Sequence, residues 1–179
     1  MQQRICHLAV GLFAAALLTG SGASASAADG DGWLARKPTT PLWIVTPDAR
    51  CLRYRVWVVS TPEEFSRGLM FVRTLPEATG MLFALGRERE MSMWMRNTLI
   101  PLDMFFADSS GLIVSIHENA EPLSLTQIHS GQPVLAVLEL GGGAAKQHGI
   151  HPGDQLRHSH FGTSGCQEGR HSAATGNKD

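Results

Sequence analysis

The stretch Met91–Phe106, MSMWMRNTLIPLDMFF, decides how this chain is read. Met91, Met93, Met95 and Asn97 fall on one side of an extended segment, with Ser92, Trp94 and Arg96 on the other. A period of two belongs to a strand with one buried face. Leu102, Met104 and Phe106 then alternate with Asp103 and Phe105, which predicts a second strand. Thr98 to Pro101 joins them, because Pro101 biases Ile100 to extended backbone and donates no ladder hydrogen bond.

The same punctuation extends in both directions. Upstream, Leu42 to Val45 predicts a short strand. Leu52, Tyr54, Val56 and Val58 alternate with Arg53, Arg55, Trp57 and Val59 in a longer one. Thr61 is an N-cap, Pro62 opens the helix, and Glu64 completes a capping box, so a helix is expected from Pro62 to about Met70 with Phe65 and Leu69 inward. Met81 to Leu85 reads as a buried strand, followed by a charged turn over Gly86 to Glu90. Downstream come a hairpin turn at Asp108–Gly111, a strand from Leu112 to Ile116 and a long loop from Ala120 to Pro133. Val134 to Leu140 is a buried strand that carries Glu139. One helical turn over Ala144 to His148 is stopped by Gly149, and a last strand covers Gln155 to His158. Many short strands with one well-capped helix predict a mainly β chain, a single sandwich- or barrel-like domain over residues 42–161.

The ends read differently. Arg4, the apolar run Ile5–Leu18 and the Ala-x-Ala sites at residues 23–25 and 25–27 predict a Sec-type signal peptide over residues 1–27. The run is too short to span a bilayer comfortably. A secreted or periplasmic protein with no stable membrane insertion is therefore expected. Residues 28–41 read as a linker and residues 162–179 as a disordered tail. Cys51 and Cys166 remain after the leader. They could form a disulfide in an oxidising compartment, or stay free if the tail around Cys166 is disordered.

A net charge of −1 in a chain of 179 residues supplies no basic footprint for nucleic acid and no polybasic membrane patch. No G-x-S-x-G, H-E-x-x-H or phosphate-loop pattern occurs, so the sequence calls for no cofactor and offers no nucleophile motif.

Several motifs together resemble one family. WMRNTLIPLDM, with RGLMF and GMLF before it and VLEL, GG, GI and GD after it, is similar to the bacterial and archaeal Domain of Unknown Function 192 family. The resemblance runs from about Cys51 to Arg157. It implies a mainly β fold and no established activity.

Three chemistries compete for the residues. Trp94, Asn97, Thr98 and Asp103, joined by Arg67 and Glu139, could line a recess for a small polar ligand or envelope component. The same polar residues could instead rivet a turn, since Asn97 and Thr98 satisfy backbone groups and Asp103 can pair with Arg96 or accept N–H groups. A hydrolase acting on envelope polymers would use Asp103 or Glu139 as its base. Met91, Met93 and Met95 beside Trp94 could bind Cu(I), since soft sulfur prefers a soft ion, or could simply fill the core. His148, His151, His158 and His160 lack strict ligand spacing and are expected on a solvated surface.

Overall fold

The computed structural model describes residues 30–166. Helix α1 (Gly30–Ala35) leads into β1 (Thr39–Val45) and β2 (Cys51–Val59). Helix α2 (Pro62–Arg67) crosses to β3 (Thr79–Arg89), followed by β4 (Ser92–Met93), β5 (Leu102–Ala107) and β6 (Ile113–Ala120). The two-residue strand β7 (Ile128–His129), β8 (Val134–Gly141), α3 (Ala144–His148) and β9 (Gln155–Arg157) complete the order.

Seven strands form one curled sheet in the order β6-β5-β8-β3-β2-β1-β9, and β4 pairs with β7 apart from it. The curl brings the outer strands together at one end. Leu112 bridges Gln155, and Ile113 N–H donates to the Asp154 carbonyl at 2.8 Å. Neighbours are antiparallel except β2 and β3, whose parallel pairing runs from Arg55–Thr79 to Val59–Phe83. A parallel pair needs a crossover, and the crossover here is the segment holding α2. Its cap is the box read from the sequence: Glu64 N–H donates to Thr61 Oγ1, and Thr61 N–H to the Glu64 carboxylate, both at 3.3 Å.

Strand alternation divides the apolar side chains into two cores. Leu42, Ile44, Val56, Leu82, Phe105, Leu138 and Leu156 fill the inside of the curl. Trp57, Met81, Phe83, Met104, Phe106 and Val137 point outward, where α1, Leu69 and the segment carrying Met91, Met93 and Met95 cover them. The architecture is thus a mainly β, barrel-like curl with a covered outer face.

Several local expectations change. Residues read as a linker instead carry α1 and the first half of β1. Trp33 and Leu34 explain it: Leu34 is buried, and Trp33 Nε1 donates to the Gly68 carbonyl at 3.3 Å. Pro41 is tolerated because β9 pairs β1 only over Trp43–Val45, leaving Pro41 on an open edge. Gly86–Arg89 is not a turn but the exposed end of β3. Helix α2 stops at Arg67, short of Met70, because Gly68 turns away at φ 46°. Gly162–Cys166, read as disordered, is held by a disulfide between Cys166 and Cys51, with Cα atoms 5.7 Å apart. The expected signal peptide and the tail beyond Cys166 lie outside the described residues.

Candidate functional site

The opening stretch does not make two strands of the main sheet. Leu102–Phe106 belongs to β5 of that sheet, but of Met91–Asn97 only Ser92–Met93 enters a ladder, against Ile128–His129. Beyond it the backbone binds a loop, with Met95 N–H donating to the Ser124 carbonyl at 3.1 Å and Leu123 N–H to the Thr98 carbonyl at 3.0 Å. The period of two survives, so Met91, Met93 and Met95 are buried while Ser92, Trp94 and Arg96 face out. The segment ends in a turn closed by Thr98 N–H to the Met95 carbonyl at 3.0 Å. Asn97 takes its third position at φ 57°, a conformation asparagine tolerates.

This segment and the end of α2 stand on the outer face and leave a cleft of about 220 Å³ between them. Phe65, Leu69 and Met70 form one wall, and Met91, Met93 and Thr98 the other. Phe83 and Glu139 come from the sheet beneath, while Arg67, Trp94 and Arg96 reach it nearer the surface. Gly68 lets the helix end sit this low. A Cβ there would lie 3.1 Å from Phe83 Cζ. The two arginines are arranged alike. The Arg67 guanidinium lies over the Trp33 ring at 5.3 Å and that of Arg96 over the Trp94 ring at 5.0 Å, both within cation–π range.

Glu139 is the chemical centre of the cleft. It is 4% exposed, and its cross-strand neighbours are Met81 on β3 and Met104 on β5. Neither neighbour supplies a charge or an N–H donor. Burial alone pushes its carboxyl up to about 8, so it is mostly protonated at neutral pH and can donate a hydrogen bond.

The structure brings Trp94, Thr98, Arg67 and Glu139 together and leaves two predicted partners out. Asn97 shapes the turn without lining the cleft; its carbonyl accepts Phe71 N–H at 2.8 Å and its Nδ2 meets Met70 Sδ at 3.8 Å. Asp103 points through the sheet to the other side. It is fully buried and accepts N–H groups from Asn119 (2.8 Å), Gly143 (3.0 Å) and Ala145 (2.7 Å). Helix α3 has no side-chain cap of its own, and Asp103 supplies one from β5. The pairing of Asp103 with Glu139 that a two-carboxylate hydrolase would need is therefore absent, because the sheet lies between them.

The methionine stripe also changes meaning. Met95 is 1% exposed and does not line the cleft, and Met91 and Met93 at 9% reach its wall from within the core. Packing against Phe83 and Met104 explains them, and two guanidiniums beside the recess oppose a cation. Among the described residues no cluster of three His, Cys, Asp or Glu side chains could hold a metal ion. Of the four histidines His151 is exposed as expected and His148 and His160 are half-buried, but His158 departs from a solvated surface. His158 is buried, its Nδ1 accepts His160 N–H at 3.1 Å, and its Nε2 meets Thr40 Oγ1 at 2.9 Å.

Phe65, Met70 and Phe83 belong to the cleft without having been candidates. Their signal was present only in part: the capping box places Phe65 on the helix, but the parallel β2–β3 crossover that sets it above Glu139 has no local signature.

A curled β-sheet with one covered face and a recess in that cover defines the class of domain. The chain belongs to the Domain of Unknown Function 192 family, described as "Uncharacterized ACR", whose family model matches residues 43–158. Two crystal structures are similar to it. One is a Sinorhizobium meliloti 1021 protein named provisionally as a transcription regulator, 40% identical with a TM-score of 0.68, covering 69% of this chain and 96% of that one. The other is a protein of unknown function from Novosphingobium aromaticivorans DSM 12444, 34% identical with a TM-score of 0.65, covering 67% of this chain and 85% of that one. No curated protein matches the chain.

Proposed function

We propose that this protein is a secreted or periplasmic binding module that holds a small polar ligand, free or part of an envelope component, in the cleft above Glu139. The observation that carries this reading is a buried carboxyl in the floor of a recess, its pKa raised by burial, with no salt bridge to another described residue. A buried polar group without a partner costs stability, and a ligand that accepts from it recovers part of that cost. The leader-like residues 1–27 and the Cys51–Cys166 disulfide support the compartment, since structural disulfides persist where it is oxidising. The regulator name belongs to the Sinorhizobium protein alone; a net charge of −1 gives this chain no comparable argument for DNA.

The hydrolase alternative draws on the same residue, because an acid with a pKa near 8 is poised for proton transfer. It lacks the second carboxylate. The Cu(I) alternative is weaker still, for the burial and charge reasons given above.

The test is a fragment screen by NMR on protein with labelled methionine methyl groups, using neutral, anionic and cationic compounds of one or two rings. We expect hits that shift the Met91 and Met93 methyl signals and quench Trp94 fluorescence. A set in which no compound perturbs these residues contradicts the binding reading.

A further inference from the structure

Size and charge together narrow what the cleft accepts. An apolar cavity of about 150 Å³ holds benzene. At about 220 Å³ this recess has room for one ring with a short substituent and little more. Its apolar walls, Phe65, Leu69, Met91 and Met93, suit a ring face. The ionisable lining is asymmetric. Arg67 and Arg96 are guanidiniums, which stay charged at all relevant pH. The sole carboxyl among the described lining residues is Glu139, and it is buried in the floor.

Arg96 is the better placed of the two to meet a ligand. It is exposed at the mouth, its guanidinium 5.0 Å from the Trp94 ring centroid, and forms no salt bridge with another described residue. A guanidinium in a cation–π contact with an indole still has edge N–H groups that can donate to a carboxylate. The floor asks for the complementary group, a neutral oxygen that accepts the Glu139 proton.

Resting on the binding reading above, we propose that the cleft selects a small organic anion: a one-ring carboxylate, its carboxylate on Arg96 at the mouth, its ring between the methionine wall and Phe65, and an oxygen acceptor toward Glu139. A carboxylate with this shape could be a free acid or the end of an envelope-derived fragment. The chemistry of recognition is the same.

The experiment compares three compounds of one shape and three charges with the whole protein: 4-hydroxyphenylacetate, its amide and tyramine. The readout is the shift of the Met91 and Met93 methyl signals on titration, with phenylacetate as a fourth compound lacking the ring oxygen. We expect the acid to bind at least about tenfold more tightly than the amide, as a charge-assisted bidentate contact implies. Tyramine should give no shift at these methyls, and phenylacetate should bind more weakly than its hydroxylated relative. Arg96→Gln, at an exposed site, should erase the advantage of the acid over the amide while leaving the unfolding curve in place. Equal binding of acid and amide, or an acid preference that survives Arg96→Gln, overturns the charge assignment yet leaves the cleft as a binding site. Failure of all four compounds, when other fragments in the broader screen do shift Met91 and Met93, overturns the ligand class alone. A broader screen that also yields nothing removes the binding reading with it.

Discussion

Asp103 on β5 and Glu139 on β8 are two buried carboxyls on adjacent strands. Asp103 lies opposite Leu140, one residue from Glu139. A one-residue step moves a side chain to the other face of a sheet, and the two faces treat an acid in opposite ways. On the inner side, at the end of the curl, three backbone N–H groups converge on Asp103 and solvate it. On the outer side Glu139 stands between Met81 and Met104 beneath a cleft. The first carboxyl joins β6, the Gly141–Gly143 turn and α3. The second does no such work for the fold, and its cost is retained. A buried carboxyl is therefore not by itself a mark of function; the marker is burial among apolar neighbours next to a recess.

The comparison can be broken in several places. The largest effect is expected at Asp103. Asp103→Ala orphans three N–H groups, and at about 1–3 kcal/mol for each unsatisfied group the loss should be at least about 3 kcal/mol in denaturant unfolding. A loss below about 1 kcal/mol would mean that water replaces the carboxylate and that Asp103 is no rivet.

Glu139 should act in the opposite direction, and through pH. Its folded pKa is raised from 4.5 to about 8. The folded state therefore binds more protons than the unfolded state between those values. Stability from this group is greatest below pH 4.5 and declines as pH rises toward 8, by up to about 4 kcal/mol for a shift of this size. Glu139→Gln should flatten that share of the profile and leave the protein relatively more stable at pH 8. Parallel pH profiles for the two proteins would contradict the account.

Glu64 sharpens the contrast as a surface counterpart of Asp103. Its carboxylate accepts the Ser60 and Thr61 N–H groups and pairs with Lys37. Here water can substitute, so Thr61→Ala should cost only about 1 kcal/mol. An unmoved unfolding midpoint would show that the capping box contributes nothing. The smallest effect belongs to Trp94, which is 46% exposed. Trp94→Ala should cost less than about 1 kcal/mol, far below the roughly 3–5 kcal/mol of a core tryptophan, while impairing any binding at the cleft.

How much of this could be read from the residues follows from the range of the interactions involved. Local signals were legible. The capping box, the Asp108–Gly111 turn, the helical turn at Ala144–His148 and the alternation of Met91, Met93 and Met95 each depend on neighbours a few positions apart. The motif resemblance identified the family. The roles of Asp103 and Glu139 were not separable, because both are acids within strands and only the register tells which face each one meets. Trp33 was hidden because its partners Arg67 and Gly68 lie on another element, in a segment where Gly and Pro dominate. The disulfide depended on where Gly162–Cys166 runs, and a strap of five residues has no period to reveal its path. Four of the six site candidates converge for a simple reason: Trp94 and Thr98 lie on the segment itself, and Arg67 and Glu139 on the elements it covers.

The most direct test of the central claim is the ionisation of Glu139 itself. Carboxyl carbon NMR on selectively labelled protein, with the signal assigned by its loss in Glu139→Gln, follows that one group through a titration. The account predicts a midpoint well above the ordinary glutamate range, near 8, and a fall when a ligand that brings positive charge is forced into the cleft. A midpoint close to 4.5 would show that Glu139 is solvated or paired, and the distinction between the two carboxyls on which the site assignment rests would be lost.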